Sequence, residues 1–495
     1  MNPDILIALA PELALFALAV VVLLAGLAAR ARGSHVGRVP LSEDAGGPAK
    51  AKGGPAIGWL TLIGLAVIFG VTFLVPEGAS LLGDSFVQDS LALFVKRLFI
   101  ASAALSVLGS LTLQQQAFSR RSAEYHFAVI VSVLGMSILA SARELILLFV
   151  GFELMSIPLF LLTGFLKRDA VAPEAALKFF LVGTASSAII VYGMSFVYGV
   201  SGSTMLSAIP AAMVDGHPLM MLGMALLLAG LGFKIAAFPF HMWAPDTYEA
   251  ASTPFVAWLS VAPKAAGFVA IIRLYIEGVG SAALVWMPAV AVLAGMTMVT
   301  GNLMAIPQQN IKRLLAYSGV AHIGYMLVGL AALSSSGVAM MLFYLVAYMF
   351  GNMGAFLVVQ AVAQSEQSDG IEAYRGLAQR SPLLALSMLI FLLSLGGIPF
   401  VAGFWAKLYV FWAAIERGMY GLVFLGAVVA VAALYYYLLV ARRMYIEAPP
   451  RSEPVPVPRL LGVAILACVV GVVGMGVYPA PWVTWAQRVA STLFS

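Results

Sequence analysis

Several ionisable side chains lie inside long apolar stretches of this sequence. Glu153 lies within LFVGFELMSIPLF, and His322 lies within LAYSGVAHIGYML. Three amines lie in further stretches, namely Lys234, Lys264 and Lys407. A charge at the centre of a bilayer costs about 2.5–3.5 kcal/mol on insertion scales, so residues of this kind mark functional sites by default. Amines, a carboxylate and an imidazole at membrane depth are groups suited to proton transfer.

A carboxylate such as Glu153 can control the proton on a nearby buried amine. Desolvation favours the neutral form of an amine, whereas a nearby carboxylate favours the charged form. We therefore expect a lysine close to Glu153 to hold its proton and to release it when the two groups move apart. Lys234 is also followed by two prolines, in FKIAAFPFHMWAPD. Interrupting a helix in this way exposes backbone groups and admits the water that a proton path needs.

Plainer interpretations exist for each of these residues. A lysine can extend its amine to the membrane surface, which is the alternative for Lys234, Lys264 and Lys407. Glu153 could instead be a structural contact between helices, and His322 could be a hydrogen-bonded packing residue. Lysines in three separate apolar stretches nevertheless argue against a purely structural membrane anchor.

The flanking ionisable residues have less specific interpretations. The candidate accessory residues of the same pathway are Lys178, His241, Asp246 and Glu249. For Lys178, extension to the cytoplasmic surface is nearly as good an explanation. Lys96 and Arg97 are expected to extend toward the outer surface, and Arg143 and Glu144 are expected at the outer interface.

The composition predicts an all-α, polytopic membrane protein. The chain has 495 residues, of which 62% are hydrophobic and only 10% are charged. Soluble domains carry roughly a quarter charged residues. Apolar runs of about 18 residues or more recur along the whole length, as expected for membrane-spanning helices. The net charge of +5 does not indicate nucleic-acid binding, because the basic residues are scattered at the ends of apolar runs.

No cofactor site is predicted in this chain. The single cysteine, Cys468, excludes a disulfide within the chain and a cysteine-ligated iron–sulfur cluster. The five histidines are dispersed without metal-ligand spacing, and no Gly-rich loop follows a strand. The sequence therefore predicts no metal, nucleotide or redox centre of its own.

We predict fourteen membrane spans. They lie near 6–29, 58–76, 87–114, 122–140, 142–165, 173–199, 217–239, 254–277, 283–304, 310–331, 335–363, 382–417, 420–446 and 460–488. Span 12 is too long for one straight crossing of about 20 residues, and it contains LGGIPFVAG, so we expect a break there as in span 7. The segment 30–57 is expected to be a flexible loop, and 364–381 is expected to form a surface helix.

Most basic residues are assigned to the odd-numbered loops, including the span ends that adjoin those loops. They are Arg30, Arg32, Arg38, Lys50, Lys52, Arg120, Arg121, Lys167, Arg168, Lys312, Arg313, Arg375, Arg380, Arg442, Arg443, Arg451 and Arg459. Those assigned to the opposite side are Arg143, Arg273, Arg417 and Arg488. Because positive loops stay in the cytoplasm, this asymmetry predicts that both termini lie outside.

The two breaks suggest an internal repeat. Spans 4–8 and 9–13 each contain five helices, and the fourth of each set is interrupted. An odd number of helices makes the second unit enter from the opposite side, so the repeats would be inverted. The predicted organisation is therefore spans 1–3 in 1–121, a first repeat in 122–280, a second repeat in 281–447, and span 14 in 448–495.

Several motifs resemble one known family. PFHMWAPDTYEAASTP, at 239–254, resembles the hallmark segment of the antiporter-like subunits of respiratory complex I. LAPELAL, GFELMSIPLF, PKAAGF, NIKRLLAYSGVAHIGY and GIPFVAGFWAKLYVF resemble further segments of that family. The pair Tyr248-Glu249 and the last motif favour one particular branch. One departure is Ala250-Ala251-Ser252, where the family more often has Gly-Ala-Pro.

The resemblance implies proton translocation across a bacterial inner membrane, driven by quinone reduction elsewhere in a complex. It implies a pairing of Glu153 with Lys234, a water-filled axis through Lys264 and His322, and a connection from Lys407 to the exit. NADH, FMN, iron–sulfur clusters and quinone would bind other subunits. The implied partners are other membrane-arm subunits, including antiporter-like and small helical ones, and the lipid bilayer. A subunit of a multi-subunit cation/proton antiporter and a subunit of a membrane-bound hydrogenase remain alternatives.

Overall fold

The structure is a computed structural model that describes residues 3–33, 54–113, 118, 121–166, 171–213, 217–278 and 282–494. Most of the predicted flexible loop lies outside these residues. The α-helices along the described ranges are Pro3–Ala8, Ala10–Gly33, Gly54–Val71, Ser90–Ser110, Ser122–Ser141, Leu145–Thr163, Val171–Ser201, Ile209–Met213, Pro218–Ile235, Trp243–Ala250, Thr253–Leu259, Ala262–Ile272, Ala283–Ala305, Ile311–Ala331, Ser335–Glu366, Leu377–Arg380, Pro382–Gly396, Ala402–Glu416, Tyr420–Tyr445, Arg459–Val477 and Ala480–Ser491.

The helices confirm the predicted all-α membrane architecture. Twelve helical segments of the described ranges are long and apolar enough to cross a membrane. Two shorter apolar helices, Pro55–Val71 and Pro382–Gly396, occupy span 2 and the first half of span 12. Each predicted span therefore contains an apolar helix. A small antiparallel hairpin, with strands Ala79–Leu81 and Phe86–Gln88, precedes span 3.

Span 8 is interrupted as well, which the sequence analysis did not predict. Its helix stops at Leu259 and resumes at Ala262, and the last turn, Arg273–Glu277, is a π-helix. Pro263 lies at the start of the second segment, where its missing N–H breaks no hydrogen bond. The interruption places Lys264 in the first turn of the second segment.

Two other expectations about single helices were wrong. Span 14 was predicted to run to residue 488, but it ends at Val477, and a separate helix begins at Ala480. Pro479 explains the division, because the residue before a proline is disfavoured in the α conformation, and Tyr478 has φ of −134° and ψ of 79°. The segment 364–381 forms only the 3-10 turn Ile371–Tyr374 and the short helix Leu377–Arg380 rather than one surface helix.

The two spans that carry Lys264 and His322 are the most enclosed. In the most apolar windows of Thr253–Glu277 and Ile311–Ala331, every residue is buried inside the chain. By contrast, only 28% of the window is buried in Ala10–Ala31 and in Val171–Ser201. Lys264 and His322 therefore lie on helices shielded from lipid by the rest of the chain.

Two helix pairs pack backbone against backbone at corresponding places. In spans 4 and 5, a Cβ atom added at Gly135 would lie 2.3 Å from the backbone nitrogen of Met155. In spans 9 and 10, a Cβ atom added at Gly301 would lie 2.3 Å from the backbone nitrogen of Ala321. Small residues allow helices to approach this closely. The correspondence agrees with the predicted repeat, whereas the domain boundaries stay predictions.

Candidate proton-transfer site

Four of the candidate residues are buried inside the chain, namely Lys234, Lys264, His322 and Lys407. Lys234 and Lys264 are each 1% exposed, His322 is 3% exposed, and Lys407 is 6% exposed. These amines do not reach a membrane surface, so the snorkelling alternative is wrong for all three lysines. Glu153 differs from them because it is only half-buried.

The breaks in spans 7 and 12 have the same backbone design. The first half-helices end at Ile235 and Gly396. The residues that follow, Ala236 and Gly397, are both in the left-handed conformation, with φ of 59° and 84°. The N–H of Ala236 donates to the carbonyls of Gly232 and Phe233, and that of Gly397 donates to the carbonyls four and three residues before it. This termination satisfies carbonyls that a helix end would leave unpaired. Glycine adopts the conformation without strain, whereas an alanine there costs roughly 1–2 kcal/mol.

Lys234 and Glu153 are separated by serine side chains. The amine of Lys234 donates to Ser156 Oγ at 2.8 Å, and Glu153 Oε1 accepts from Ser187 Oγ at 2.5 Å. None of the ion pairs between residues that the structure describes joins Glu153 to Lys234. Ser156 lies three residues after Glu153 on the same helix, so the carboxylate still acts electrostatically on the amine. Glu153 and Lys234 are therefore neighbours, but they do not form a direct ion pair.

Lys407 is held by backbone rather than by a carboxylate. Its amine donates to the carbonyl oxygens of Leu395 at 2.8 Å and Gly396 at 3.0 Å. These carbonyls end the first half of span 12, and a helix C-terminus carries a partial negative charge. Lys234 precedes its break in the sequence, whereas Lys407 follows its break and reaches back across it.

Lys264 has no hydrogen-bond acceptor among the residues that the structure describes. Its amine lies 5.4 Å from the centroid of the Tyr248 ring. Gly319 leaves room beside it, because a Cβ atom there would lie 3.2 Å from the amine and 2.8 Å from the Tyr348 hydroxyl. Both the amine and that hydroxyl are buried polar groups without a protein partner in the described part of the chain.

The hydroxyls of two tyrosines flank His322, and the sequence analysis did not single them out. Nδ1 of His322 lies 2.8 Å from the hydroxyl of Tyr344, and Nε2 lies 3.3 Å from that of Tyr437. The charges of Lys407 and Lys264 both act on the imidazole. His322 is therefore close enough to both lysines to respond to their charges, and each of its ring nitrogens has a hydrogen-bonding neighbour.

The predicted accessory residues form a surface network of ion pairs, apart from His241. Arg313 pairs with Asp246 at 2.9 Å and with Glu249 at 2.8 Å. Lys178 pairs with Asp246 at 3.3 Å and with Glu174 one turn earlier at 2.8 Å. The acidic residues of the WAPDTYE motif thus tie the helix after the span 7 break to the start of span 10.

His241 lies beside Phe238, with a ring-centroid distance of 5.8 Å, and its Nδ1 has no partner among the described residues. The second aromatic neighbour of His241 is Tyr317, at a ring-centroid distance of 6.3 Å. Both aromatic neighbours are therefore residues other than the buried lysines. Among the described residues, no group of three or more His, Cys, Asp or Glu side chains could hold a metal ion.

Lys96 was misassigned by the sequence analysis. It was expected to extend to the outer surface, but it is fully buried and pairs with Glu12 at 2.6 Å. Gln88 and Ser141 each accept a further hydrogen bond from it at 2.6 Å. Glu12 belongs to the LAPELAL motif, so this acid and the buried lysine were both visible in the sequence, but their pairing depends on tertiary packing.

Arg273, which the sequence analysis counted among the basic residues of the outer side, lies in the last turn of span 8. Its side chain is fully buried, and it pairs with Asp89 at 2.6 Å and, one turn later, with Glu277. Its guanidinium also donates to the backbone carbonyl of Ala140 at 2.8 Å. Burial alone would raise the pKa of the Asp89 carboxyl, but the charge and hydrogen bonds of Arg273 hold that pKa below its usual range.

These features define a membrane protein of the proton-translocating antiporter type, with interrupted helices beside buried lysines. The chain belongs to the NADH:quinone oxidoreductase/Mrp antiporter transmembrane family, which matches residues 142–433. Within that family it belongs to the subunit N group, the branch that the WAPDTYE motif favoured.

Two relatives illustrate the relationship. The chain is 41% identical over 442 residues to NADH-quinone oxidoreductase subunit N of Heliobacterium modesticaldum, covering 88% of this chain and 93% of the relative. It is 41% identical over 441 residues to that of Moorella thermoacetica, covering 88% and 92%.

The fold also matches solved structures. A chain of respiratory complex I from Thermus thermophilus is 32% identical, with a TM-score of 0.78 over 96% of this chain and 98% of that one. A chain of the Mrp complex from Dietzia has a TM-score of 0.83 over 100% and 98%, but it is 20% identical and shows the fold alone.

Proposed function

We propose that this chain translocates protons across a bacterial inner membrane as a membrane-arm subunit of an NADH:quinone oxidoreductase. The observation that carries the proposal is the position of the three buried lysines. Each lies at an interruption of a spanning helix: Lys234 two residues before a left-handed residue, Lys264 just after the span 8 break, and Lys407 hydrogen-bonded across the span 12 break. Interrupted helices at membrane depth are tolerated where they line a polar cavity.

The proposed pathway runs through Glu153, Lys234, Lys264, His322 and Lys407. Glu153 stabilises the proton on Lys234, although each group is hydrogen-bonded to a serine rather than to the other. Separation would release the proton, because an isolated buried amine favours its neutral form. Water would complete the path at Lys264, whose amine has no protein acceptor among the described residues.

The energy for this cycle would come from electron transfer in partner subunits. NADH, FMN, iron–sulfur clusters and quinone would all bind there, and this chain would contribute no redox centre. The partners would be other antiporter-like subunits and small helical subunits of the membrane arm. The excess of Lys and Arg in the odd-numbered loops supports an orientation with both termini in the periplasm.

A multi-subunit cation/proton antiporter is the second candidate function, because the fold alone does not separate the two classes. The 41% identity to subunit N relatives, against 20% to the Mrp complex chain, favours the oxidoreductase. The membrane-bound hydrogenase alternative has no comparable support in the matches described above.

Affinity purification of the tagged chain from its native membrane tests the proposal. We expect the tag to recover an assembly that oxidises NADH, reduces quinone and acidifies reconstituted vesicles during turnover. The purified chain alone should oxidise no NADH. An assembly without NADH oxidation that exchanges sodium for protons would contradict the proposal and favour the antiporter.

A further inference from the structure

Both ring nitrogens of His322 have tyrosine partners. Tyr344 lies 2.8 Å from Nδ1, and Tyr437 lies 3.3 Å from Nε2. A neutral imidazole has one donor nitrogen and one acceptor nitrogen, so one tyrosine donates to the ring and the other accepts from it. A proton that arrives at one nitrogen can therefore leave from the other.

Tyr437 continues this chain of hydrogen bonds to Ser318. The two hydroxyl oxygens are 2.5 Å apart, and either can be the donor. Ser318 lies one turn before His322 on span 10, so the Tyr437 hydroxyl from span 13 bridges one turn of that helix. Tyr437 is 2% exposed and Ser318 is fully buried, so bulk water does not compete for these bonds.

The ring of Tyr437 also lies against the break in span 12. A Cβ atom added at Gly396 would lie 3.7 Å from Cδ2 of Tyr437. The carbonyl of Gly396 is one of the two that hold the amine of Lys407. Tyr437 is thus positioned where span 10, span 13 and the second break meet.

We infer that Tyr437 is a further proton-transfer residue, which carries a proton between His322 and Ser318 within the proposed pathway. In one direction, the imidazolium gives its Nε2 proton to the oxygen of Tyr437 while Tyr437 passes its own hydroxyl proton to Ser318. Ser318 in turn releases its original proton to a water molecule. His322 ends neutral, the water becomes hydronium, and both hydroxyl groups end with one proton each, so the step balances.

This inference rests on the proposed function, so the test includes a reference variant of that function. The quantity measured is the number of protons translocated per NADH oxidised in vesicles containing the assembled complex. Tyr437→Phe removes only the hydroxyl, Ser318→Ala removes the far end of the bridge, and Lys407→Ala is the reference. Tyr435→Phe is the matched control, because Tyr435 belongs to the same run of tyrosines but is 60% exposed.

Tyr437→Phe and Ser318→Ala should both lower the proton ratio to that of Lys407→Ala, while Tyr435→Phe keeps the unmodified ratio. A full ratio in Tyr437→Phe would overturn the inference. A low ratio in Tyr437→Phe with a full ratio in Ser318→Ala would also overturn it, because Tyr437 would then only position His322. A full ratio in Lys407→Ala would instead refute the assigned role of Lys407 in the proposed function.

Discussion

The amine of Lys407 lies 3.0 Å from the carbonyl oxygen of Gly396, on the opposite side of the break in span 12. The carbonyl of Leu395 accepts a second hydrogen bond from it at 2.8 Å. In span 7, the amine of Lys234 instead donates a hydrogen bond to Ser156, which lies one helix turn after Glu153. The two halves therefore stabilise a buried amine by different means, a helix C-terminus in one and a nearby carboxylate in the other.

Replacing Lys407 with Arg should abolish the proton translocation that depends on this position. A guanidinium is effectively never deprotonated, so Lys407→Arg keeps the charge but cannot release a proton. The check is the number of protons translocated per NADH in an assembled complex. Lys178→Arg is the control, because Lys178 is half-exposed and lies in a surface ion-pair network. Normal translocation in Lys407→Arg would mean that no proton leaves position 407 during the cycle.

Replacing Glu153 with Gln should weaken proton loading of Lys234. The amide keeps the shape and the contact with Ser187, but it removes the negative charge that favours the protonated amine. We expect fewer protons per NADH and a shift of the pH optimum of translocation to lower pH, where the amine is still protonated. Glu416→Gln, on the exposed end of span 12, serves as the control. An unchanged ratio and pH profile would remove Glu153 from the pathway.

Replacing Gly397 with Ala should distort the backbone at the span 12 break and lower proton translocation. Gly397 has a φ of 84°, and a Cβ atom there would lie 2.9 Å from Cδ of Lys407. The strain of about 1–2 kcal/mol and the contact with the lysine should displace the amine from its two carbonyls. Gly421→Ala is the matched control, because it lies within a helix and a Cβ there would have no atom within 4 Å. Equal translocation in both variants would show that this geometry is unnecessary.

Replacing Arg273 with Met should destabilise the assembled protein. Removing the buried guanidinium leaves Asp89 and Glu277 with only the partly exposed Arg143 as a cationic partner, and breaking a buried ion pair costs up to about 3–5 kcal/mol. Arg143→Met should cost about 0–1 kcal/mol, because the Arg143 side chain is 42% exposed. Thermal inactivation of the solubilised complex measures the difference. Similar inactivation temperatures for the two variants would argue against a structural role for Arg273.

The same pair predicts a dependence on pH. Because Arg273 keeps the pKa of Asp89 below its usual range, the ionised carboxylate stabilises the fold at neutral pH. That contribution is lost as the pH falls through the lowered pKa. Arg273→Met lacks this contribution at every pH, so the stability difference between the unmodified chain and Arg273→Met should shrink as the pH falls through the lowered pKa of Asp89. A stability difference that stays constant over the acid range would contradict this.

Hydropathy and helix breakers were sufficient to predict the apolar spans, and depth within those spans was sufficient to predict that Lys234, Lys264 and Lys407 are buried, whereas their roles in proton transfer stay predictions. Both signals are local in the sequence. The pairing of Lys96 with Glu12 was missed because a buried ion pair depends on packing between residues far apart in the chain. Tyr437 was missed because an uncharged tyrosine in an apolar span has no sequence signal that separates proton transfer from packing. The span 8 break was missed because Pro263 lies inside the predicted span, where a proline can kink a helix without ending it.

The most direct measurement is the proton ratio of Lys234→Ala in an assembled complex. The buried amine beside Glu153 is the proposed proton carrier of the first repeat, and alanine removes it without adding a charge. Lys178→Ala controls for charge loss, because the structure places Lys178 in a half-exposed surface ion-pair network outside the proposed pathway. We predict fewer protons translocated per NADH in Lys234→Ala and an unchanged ratio in Lys178→Ala. An unchanged ratio in Lys234→Ala would contradict the claim that the buried lysines carry the protons.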